Sequence, residues 1–394
     1  MPDRGYRAIG EAMKKIRAAI VGTGFMGRVH LEALRRTEDI EIAAVVGREA
    51  ESAQKVARGF DVPTTTDLAS VLGDSSIDAV HICTPNASHY TLSLSALKEG
   101  KHVLCEKPLS VSVAEAEELV SVAKDRGLRN CVCHNLRYYP LVQQMRTMRE
   151  SGELGEILVA QGTYSQDWLL YETDWNWRVD PTTGGPLRAM ADIGTHWFDM
   201  VSHVTGLRVT SLSADMQTFH KERRRPRQKT ETFGGKPLQS EDVEAIQVKS
   251  DDFASVSFHL GKKTRGTMTA SQVSAGRKNR LSIEIYGSES SVAWDQERPD
   301  ELWIGHRNAP NQTIVKDPSL LRGTARTFAD LPGGHSEGYG DTFKQIFRRF
   351  YASILDPDLT PEYPQMEDGL HQMKLLDAVL ASNERRSWVE LSAE

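Results

Sequence analysis

An α/β half followed by an α+β half with a large, mainly antiparallel open-faced sheet is the fold class the sequence predicts. Three observations carry it. Short β-branched runs alternate with helical periods through the first third of the chain, and near Phe253 the period drops from 3.6 to 2. The length, 394 residues, predicts two domains at about 100–200 residues each. The change of pattern puts them at 13–136 and 137–394, with the C-terminal helices packing back on the first.

The elements follow in order. Ile16–Val21 is a strand, succeeded by a glycine turn and a helix over 28–36. A strand at Ile40–Val46, a helix at 49–58, a short helix at 68–72, a strand at 77–83 and a helix at 88–97 come next. After the strand His102–Cys105, Ser112 and Glu115 form a capping box for a helix over 112–126 that stops at Gly127, and 130–133 is a strand. Repeated βα units imply a parallel sheet covered on both faces. In the second half, Ala254, Val256, Phe258 and Leu260 alternate with Ser255, Ser257 and His259, the mark of a half-buried antiparallel strand. Similar segments lie at 156–164, 209–218, 243–248, 264–273, 281–286 and 291–294, with a helix over 186–204. The tail returns to helices at 343–354 and 366–380, separated by a proline-rich turn. A sheet covered on one side needs a cover on the other, so a homo-oligomer, a dimer or tetramer through that sheet, is expected.

Composition narrows the partners. With 48 Lys+Arg against 54 Asp+Glu the chain carries a net charge of −6, and the basic run 221–229, with Pro226 inside it, is expected to be a solvated loop rather than a nucleic-acid surface. No run approaches the roughly 20 apolar residues of a membrane helix, and the N-terminus lacks a signal-like apolar stretch, which makes the cytoplasm the expected location. Cys83, Cys105, Cys131 and Cys133 all sit in apolar segments and are expected to be reduced, packed thiols. The CxCH run at 131–134 has no second ligand pair at zinc spacing, so no metal is assigned.

The chemistry gathers at a few motifs. Gly22-Thr-Gly24-Phe25-Met26-Gly27 is a GxGxxG motif after a strand and opening a helix. Gly22 permits the tight turn, Gly24 lets backbone approach a pyrophosphate, Gly27 lets helix and strand pack, and the helix N-terminus faces the phosphates. In a series of βα units this is a Rossmann dinucleotide-binding arrangement. The second strand would end in an acidic residue if a ribose 2′-hydroxyl were bound; Gly47 and Arg48 stand there instead, favouring NADP(H) through Arg48 on a 2′-phosphate, with NAD(H) open through Glu49.

Thr84, Pro85 and Asn86 end one strand, and Glu106, Lys107 and Pro108 end the next, at the carboxyl edge where such sheets bind ligands. Lys107 is the candidate for moving a proton beside a nicotinamide. Asp192 and His196 stand one helical turn apart and on one face, a pair able to orient and shuttle a proton; capping each other, or joining Asp199 and His203 around a metal, are the competing readings. Gln166, Trp168 and the segment Asp174-Trp175-Asn176-Trp177-Arg178 interleave aromatic faces with hydrogen-bonding groups, as a sugar site does and as core anchors also do.

GTGFMGRVH at 22–30, CTPNASH at 83–89, GKHVLCEKPLS at 100–110 and GGPLRAMADIGTHWFD at 184–199 together resemble the glucose-fructose oxidoreductase and inositol dehydrogenase family, Gfo/Idh/MocA. The resemblance runs from Met13 to the final helices. It implies an NAD(P)-dependent dehydrogenase oxidising a secondary hydroxyl of a sugar, glycoside or cyclitol, or reducing the ketone. Lys107 then matches the EKP lysine, Asp192 and His196 match the DxGxH pair, and Asn135 and Arg137 match a motif beside the nicotinamide. On this reading the catalytic set is Lys107, Asp192 and His196. Cofactor contacts are Gly22, Gly24, Phe25, Met26, Gly27, Arg48, Thr84, Pro85, Asn86, His89, Glu106, Lys107, Asn135 and Arg137. Substrate contacts are Lys107, Gln166, Trp175, Arg178, Asp192, His196 and His335. Residues 1–12 precede the family's usual start, as an arm or an extended leader. The alternative from another class is a cofactor-sensing binding protein on a dehydrogenase fold.

Overall fold

The computed structural model describes residues 15–227 and 243–391. The leader 1–12 and the last residues of the basic run, 228–229, lie outside the described residues. Six parallel strands, β1 (Ile16–Val21), β2 (Ile40–Val46), β3 (Thr64–Thr65), β4 (Ala79–Ile82), β5 (His102–Cys105) and β6 (Asn130–Val132), form a sheet in the order β3-β2-β1-β4-β5-β6. Helices α1 (Phe25–Leu34), α2 (Ala50–Ala57), α3 (Leu68–Gly73), α4 (His89–Lys98) and α5 (Val113–Asp125) connect them. Strand order reverses between β1 and β4, and the crevice beyond the carboxyl ends there is the ligand position of such sheets. Helix α1 starts at Phe25, earlier than periodicity predicts, because the glycines leave no side chain to mark the first turn. At α5, Ser112 Oγ accepts from the Glu115 N–H at 3.4 Å, while the Glu115 carboxylate reaches the Val111 N–H rather than that of Ser112.

The second half comprises α6 (Pro140–Glu150), β7 (Ile157–Ser165), a short α7 (Pro181–Gly184), a π turn at Met190–Gly194 continuing into α8 (Thr195–Thr205), and β8 (Val209–Gln217). Then come β9 (Glu222–Pro226), β10 (Val243–Gln247), β11 (Phe253–Leu260), β12 (Thr264–Ser271), β13 (Arg280–Gly287), β14 (Ser291–Asp295), β15 (Glu301–Gly305) and β16 (Gln312–Val315). Helices α9 (Tyr339–Leu355) and α10 (Met366–Arg385) and strand β17 (Val389–Glu390) close the chain. Nine of these strands form one sheet, β16-β15-β14-β13-β7-β12-β11-β8-β17, antiparallel throughout except for β7 with β12. Buried Ala254, Val256, Phe258 and Leu260 alternate along β11 as expected. On the opposite side of the sheet Val159, Trp303 and Val315 are exposed, and helices cover the inner side.

The basic run is not a loop. Residues Glu222–Pro226 form β9, paired antiparallel with β10 as a two-stranded ribbon, so the 243–248 segment does not join the large sheet. Arg223 is fully buried and donates to the carbonyls of Leu169 (2.9 Å) and Tyr171 (2.9 Å) and to Asp252 Oδ1 (2.8 Å). Buried Arg188 bonds the same carboxylate. Charge in the run is thus recruited inward by a buried aspartate, something local composition does not reveal.

Helices α9 and α10 reach back to the first sheet: Val132 N–H donates to the Pro364 carbonyl at 2.9 Å, and the Met366 N–H to Asn130 Oδ1 at 2.7 Å. The four cysteines are free and buried. Among the described residues, no helix is long and apolar enough to cross a membrane.

Candidate active site

The glycine turn has the shape its spacing requires. Gly22 sits at φ +121°, and a Cβ there would run into the Cys83 carbonyl; one on Gly27 would run into the Gly22 carbonyl. A Cβ on Gly24 would meet no atom within 4 Å, so this glycine keeps open space at the mouth of α1. Close packing at two glycines and an open approach at the third, beneath a helix N-terminus, fit a dinucleotide pyrophosphate. Phe25 is exposed at that mouth, and Met26 Sδ faces the Tyr339 hydroxyl at 3.8 Å. At the end of β2 a Cβ on Gly47 would crowd Thr23 Cγ2 at 2.9 Å, so an acidic side chain has no room there, while Arg48 is exposed beside it.

The ends of β4 and β5 are joined by His89, whose ring nitrogens lie 2.8 Å from the Thr84 carbonyl and 2.7 Å from that of Pro108. Thr84 Oγ1 accepts from Ser88, Pro85 caps the short turn that follows, and Asn86 Nδ2 donates to the Gly184 carbonyl at 2.9 Å, bridging to the second domain. Glu106 Oε1 meets His30 Nε2 at 2.9 Å in the interior of the first domain, with the Lys107 charge near enough to favour its ionised form.

Lys107 instead crosses to the second domain. Its Nζ donates to Asp192 Oδ1 at 2.8 Å and to the Asp192 carbonyl at 2.6 Å, both side chains being almost buried. Arg178 Nε donates to the same Oδ1 at 2.9 Å while its guanidinium lies 4.4 Å over the Trp177 ring, and Gln272 Nε2 donates to Oδ2 at 2.9 Å. Burial pushes the Asp192 carboxyl up, but Arg178 and Lys107 outweigh it and hold the group well below the usual carboxylate range.

His196 packs beside this carboxylate, its ring 5.5 Å from His134 edge to face and 6.4 Å from Tyr164. Burial lowers its pKa well below the usual histidine value, with Lys107 and His134 adding to the effect and Asp192 opposing it. The ring is therefore neutral near pH 7 and able to accept a proton. The direct Asp192–His196 pairing that helical spacing predicts is replaced by another arrangement: Asp192 spends both oxygens on Lys107, Arg178 and Gln272, and His196 Nδ1 is buried without a partner among the described residues. The π turn at Met190–Gly194 alters the pitch between the two residues, which a 3.6-residue period does not anticipate.

Other expected residues have partners within the protein. Arg137 is bonded through both Nε and a terminal nitrogen to Asp199, Asn135 Nδ2 donates to Thr342 Oγ1 at 2.7 Å, and His203 Nε2 faces Gln143, so Asp199 and His203 have protein partners. Gln166 is nearly buried, donating to Asn279 Oδ1 and accepting from Trp168 Nε1, both at 2.7 Å. Trp175 packs with Leu169, Val179 and Val248 in a small satellite core. His335 is exposed, and its carbonyl accepts from Lys316 Nζ at 2.7 Å. Sequence reading missed Gln272 and His134. The first follows a strand and carries no motif; the second ends the CxCH run, whose spacing raises only the question of a metal, and both its nitrogens are buried and unpartnered among the described residues.

Comparison with known proteins bears on both halves. Residues 16–134 match the oxidoreductase family with an NAD-binding Rossmann fold, and 142–293 match the GFO/IDH/MocA C-terminal domain. A levoglucosan dehydrogenase of Pseudarthrobacter phenanthrenivorans is 27% identical over 96% of this chain and 99% of its own. A levoglucosan dehydrogenase solved in complex with NADH and L-sorbose superposes with a TM-score of 0.86 at 26% identity, covering 97% of this chain and all of that one. An oxidoreductase domain protein from Kribbella flavida gives 0.87 at 29% identity, with 97% and 100% covered. With a nucleotide-binding turn and a Lys107–Asp192–His196 cluster on its two matched halves, the chain belongs to the GFO/IDH/MocA family of oxidoreductases.

Proposed function

We propose that this protein is a dehydrogenase of a ring polyol, oxidising a secondary hydroxyl of a sugar, glycoside or cyclitol, or reducing the corresponding ketone. The observation that carries this is the three-donor clamp on Asp192, which fixes Lys107 and Arg178 beside a neutral, buried His196. Gly22, Gly24 and Gly27 would hold the pyrophosphate of a nicotinamide dinucleotide, which when bound would supply the hydride acceptor. His196 takes the proton from the hydroxyl oxygen, and the carbinol carbon, on giving up its hydride, becomes the ketone carbon. Lys107 donates a hydrogen bond to the reacting oxygen, and Asp192 keeps that ammonium aimed. Gln272 Oε1, buried without a partner among the described residues, and Arg178 offer an acceptor and a donor to neighbouring ring hydroxyls.

The relatives named for levoglucosan favour a pyranose-like ring, and Trp177 beneath Arg178 supplies an aromatic face nearby. Arg48 favours NADP(H) by its charge, whereas the solved levoglucosan dehydrogenase holds NADH. A homo-oligomer formed through the exposed face of the nine-stranded sheet completes the proposal.

The test is reduced-nicotinamide formation by the purified protein on inositols, aldoses, anhydrosugars and glycosides, with NAD and NADP in parallel. Turnover on a ring polyol establishes the class. Tight cofactor binding with no turnover across the panel overturns the reading in favour of a cofactor sensor.

A further inference from the structure

A chain of four polar side chains runs through the interior of the first domain. The Tyr351 hydroxyl on α9 lies 2.6 Å from His81 Nε2 on β4, His81 Nδ1 lies 2.9 Å from His30 Nδ1 on α1, and His30 Nε2 lies 2.9 Å from Glu106 Oε1 at the end of β5. His30, His81 and Tyr351 are at most 2% exposed, and Glu106 6%. Phe343 and Phe347 wrap the two imidazoles, with ring centroids 4.8–5.5 Å away. Such a chain is costly to bury unless every link is made.

The links constrain the hydrogens. Only one of the two facing Nδ1 atoms can carry a proton. With the phenol donating to His81 Nε2, His81 Nδ1–H donates to His30 Nδ1, and His30 Nε2–H is left to donate to Glu106, which accepts as a carboxylate. With the phenol accepting instead, His30 carries both protons and Glu106 is again the ionised acceptor. Only a third arrangement, with Glu106 protonated, makes it neutral, and that one forfeits the favourable neighbouring charge of Lys107. Burial raises the Glu106 carboxyl, yet the His30 hydrogen bond and charge, followed by Lys107 and His89, bring it below the usual range. Cys83, Cys105, Cys133 and Tyr339 are the other titratable groups about it. Cys133 Sγ stands 3.9 Å from His30 Nε2, and with Glu106 the three could suggest a cation site, but both His30 nitrogens are already engaged.

We infer that His30, His81 and Tyr351 are positioning residues that hold Glu106 as a buried carboxylate in the nicotinamide half of the crevice, where its charge favours the oxidised, cationic cofactor over the reduced, neutral one. The inference rests on the cofactor reading proposed above. Glu106 directly follows β5, adjoins Lys107 in sequence and feels its charge, and hydride transfer at His196 requires the nicotinamide to lie beside Lys107. A fixed negative charge there interacts with the pyridinium and not with the dihydropyridine.

The experiment measures dissociation constants for NAD⁺, NADH, NADP⁺ and NADPH by calorimetry on the wild-type protein and on Glu106→Gln, His30→Gln and Tyr351→Phe. The expected result is that Glu106→Gln shifts the reduced-to-oxidised preference towards the reduced form by about tenfold, with His30→Gln smaller in the same direction and Tyr351→Phe smallest. A merely structural defect would weaken both forms alike. The wild-type protein gives a second reading that needs no variant: a carboxylate held ionised throughout keeps the ratio of the oxidised- to the reduced-cofactor dissociation constants level between about pH 6 and pH 8. An unmoved preference in folded Glu106→Gln, or a wild-type preference that changes with pH between about 6 and 8, overturns the inference. Failure of the wild type to bind any of the four overturns the cofactor reading itself.

Discussion

Gln272 Nε2 lies 2.9 Å from Asp192 Oδ2, occupying the one carboxylate oxygen that Lys107 and Arg178 leave free. The carboxylate is thereby held from three sides by three different segments of the chain. Gln272→Ala is expected to reduce kcat/KM about tenfold, the worth of one hydrogen bond to a charged group. Gln272→Glu is expected to reduce it further, because a like charge would then face Asp192. Steady-state rates that match the wild type for both variants would show that the clamp does not depend on this residue.

Lys107→Met removes the ammonium and leaves a side chain of similar length. Turnover is expected to fall by about 10²–10⁴-fold while cofactor affinity stays near the wild-type value. Asp192→Asn keeps the shape but loses the charge that Lys107 and Arg178 share, so a fall of at least about tenfold is expected, mainly in kcat. Cofactor titration beside initial-rate kinetics separates the two effects, and unchanged turnover in Lys107→Met would remove this residue from the mechanism.

Much of the first domain was legible because its signals are local. β-branched runs, a glycine turn and helix caps act within a few residues, and β1, β2 and β5 fall where the period places them. The clamp was legible only in part: Lys107, Asp192 and His196 sit in motifs, whereas Gln272 enters through the pairing of β12 with β7 and β11, a long-range relationship with no local mark. Arg223 shows the opposite failure. Its neighbours Arg224 and Arg225 are surface-like, so the run looked solvated, and only the burial of Asp252 explains why one of the three arginines turns inward.

Stability at mildly acid pH follows from the buried imidazoles. His81, His89, His134, His196 and His203 all have pKa values lowered below 6.5, burial being the first cause in each. Below that value the unfolded chain binds protons that the folded one does not, so their effect on stability is absent above pH 6.5 and grows unfavourable as pH falls. The melting temperature is expected to be level between about pH 8 and pH 7 and to drop by about 5 °C or more by about pH 5.5. A flat profile would mean that these rings protonate in place. The acid limb of kcat/KM for oxidation is likewise expected below 6.5, since His196 stays neutral down to its lowered pKa.

Cofactor choice turns on the end of β2. Gly47 cannot be replaced by an acid without striking Thr23, and the exposed Arg48 is the charge next to it. Arg48→Ala is expected to lower kcat/KM with NADP about 10- to 100-fold and to leave NAD within about threefold, as loss of a phosphate ion pair would. Equal effects on the two cofactors would assign Arg48 to adenine stacking.

Trp175 separates the two uses of tryptophan in the 166–178 segment. It packs against Leu169, Val179 and Val248 under the β9–β10 ribbon, with Arg225 5.9 Å from its ring, whereas Trp177 carries Arg178, which reaches Asp192. Trp175→Ala removes a wedge between ribbon and loop and is expected to cost about 2–3 kcal/mol of stability, for a ring that is only partly buried. Trp177→Ala removes the face on which Arg178 lies, and is expected to raise KM for the ring substrate several-fold with a small change in melting temperature, by letting the guanidinium leave Asp192. Thermal melts and Michaelis constants on the two variants form a crossed test. A large KM effect from Trp175 with unchanged stability would place its indole against substrate, and the ribbon would then close over the site instead of bracing the loop behind it.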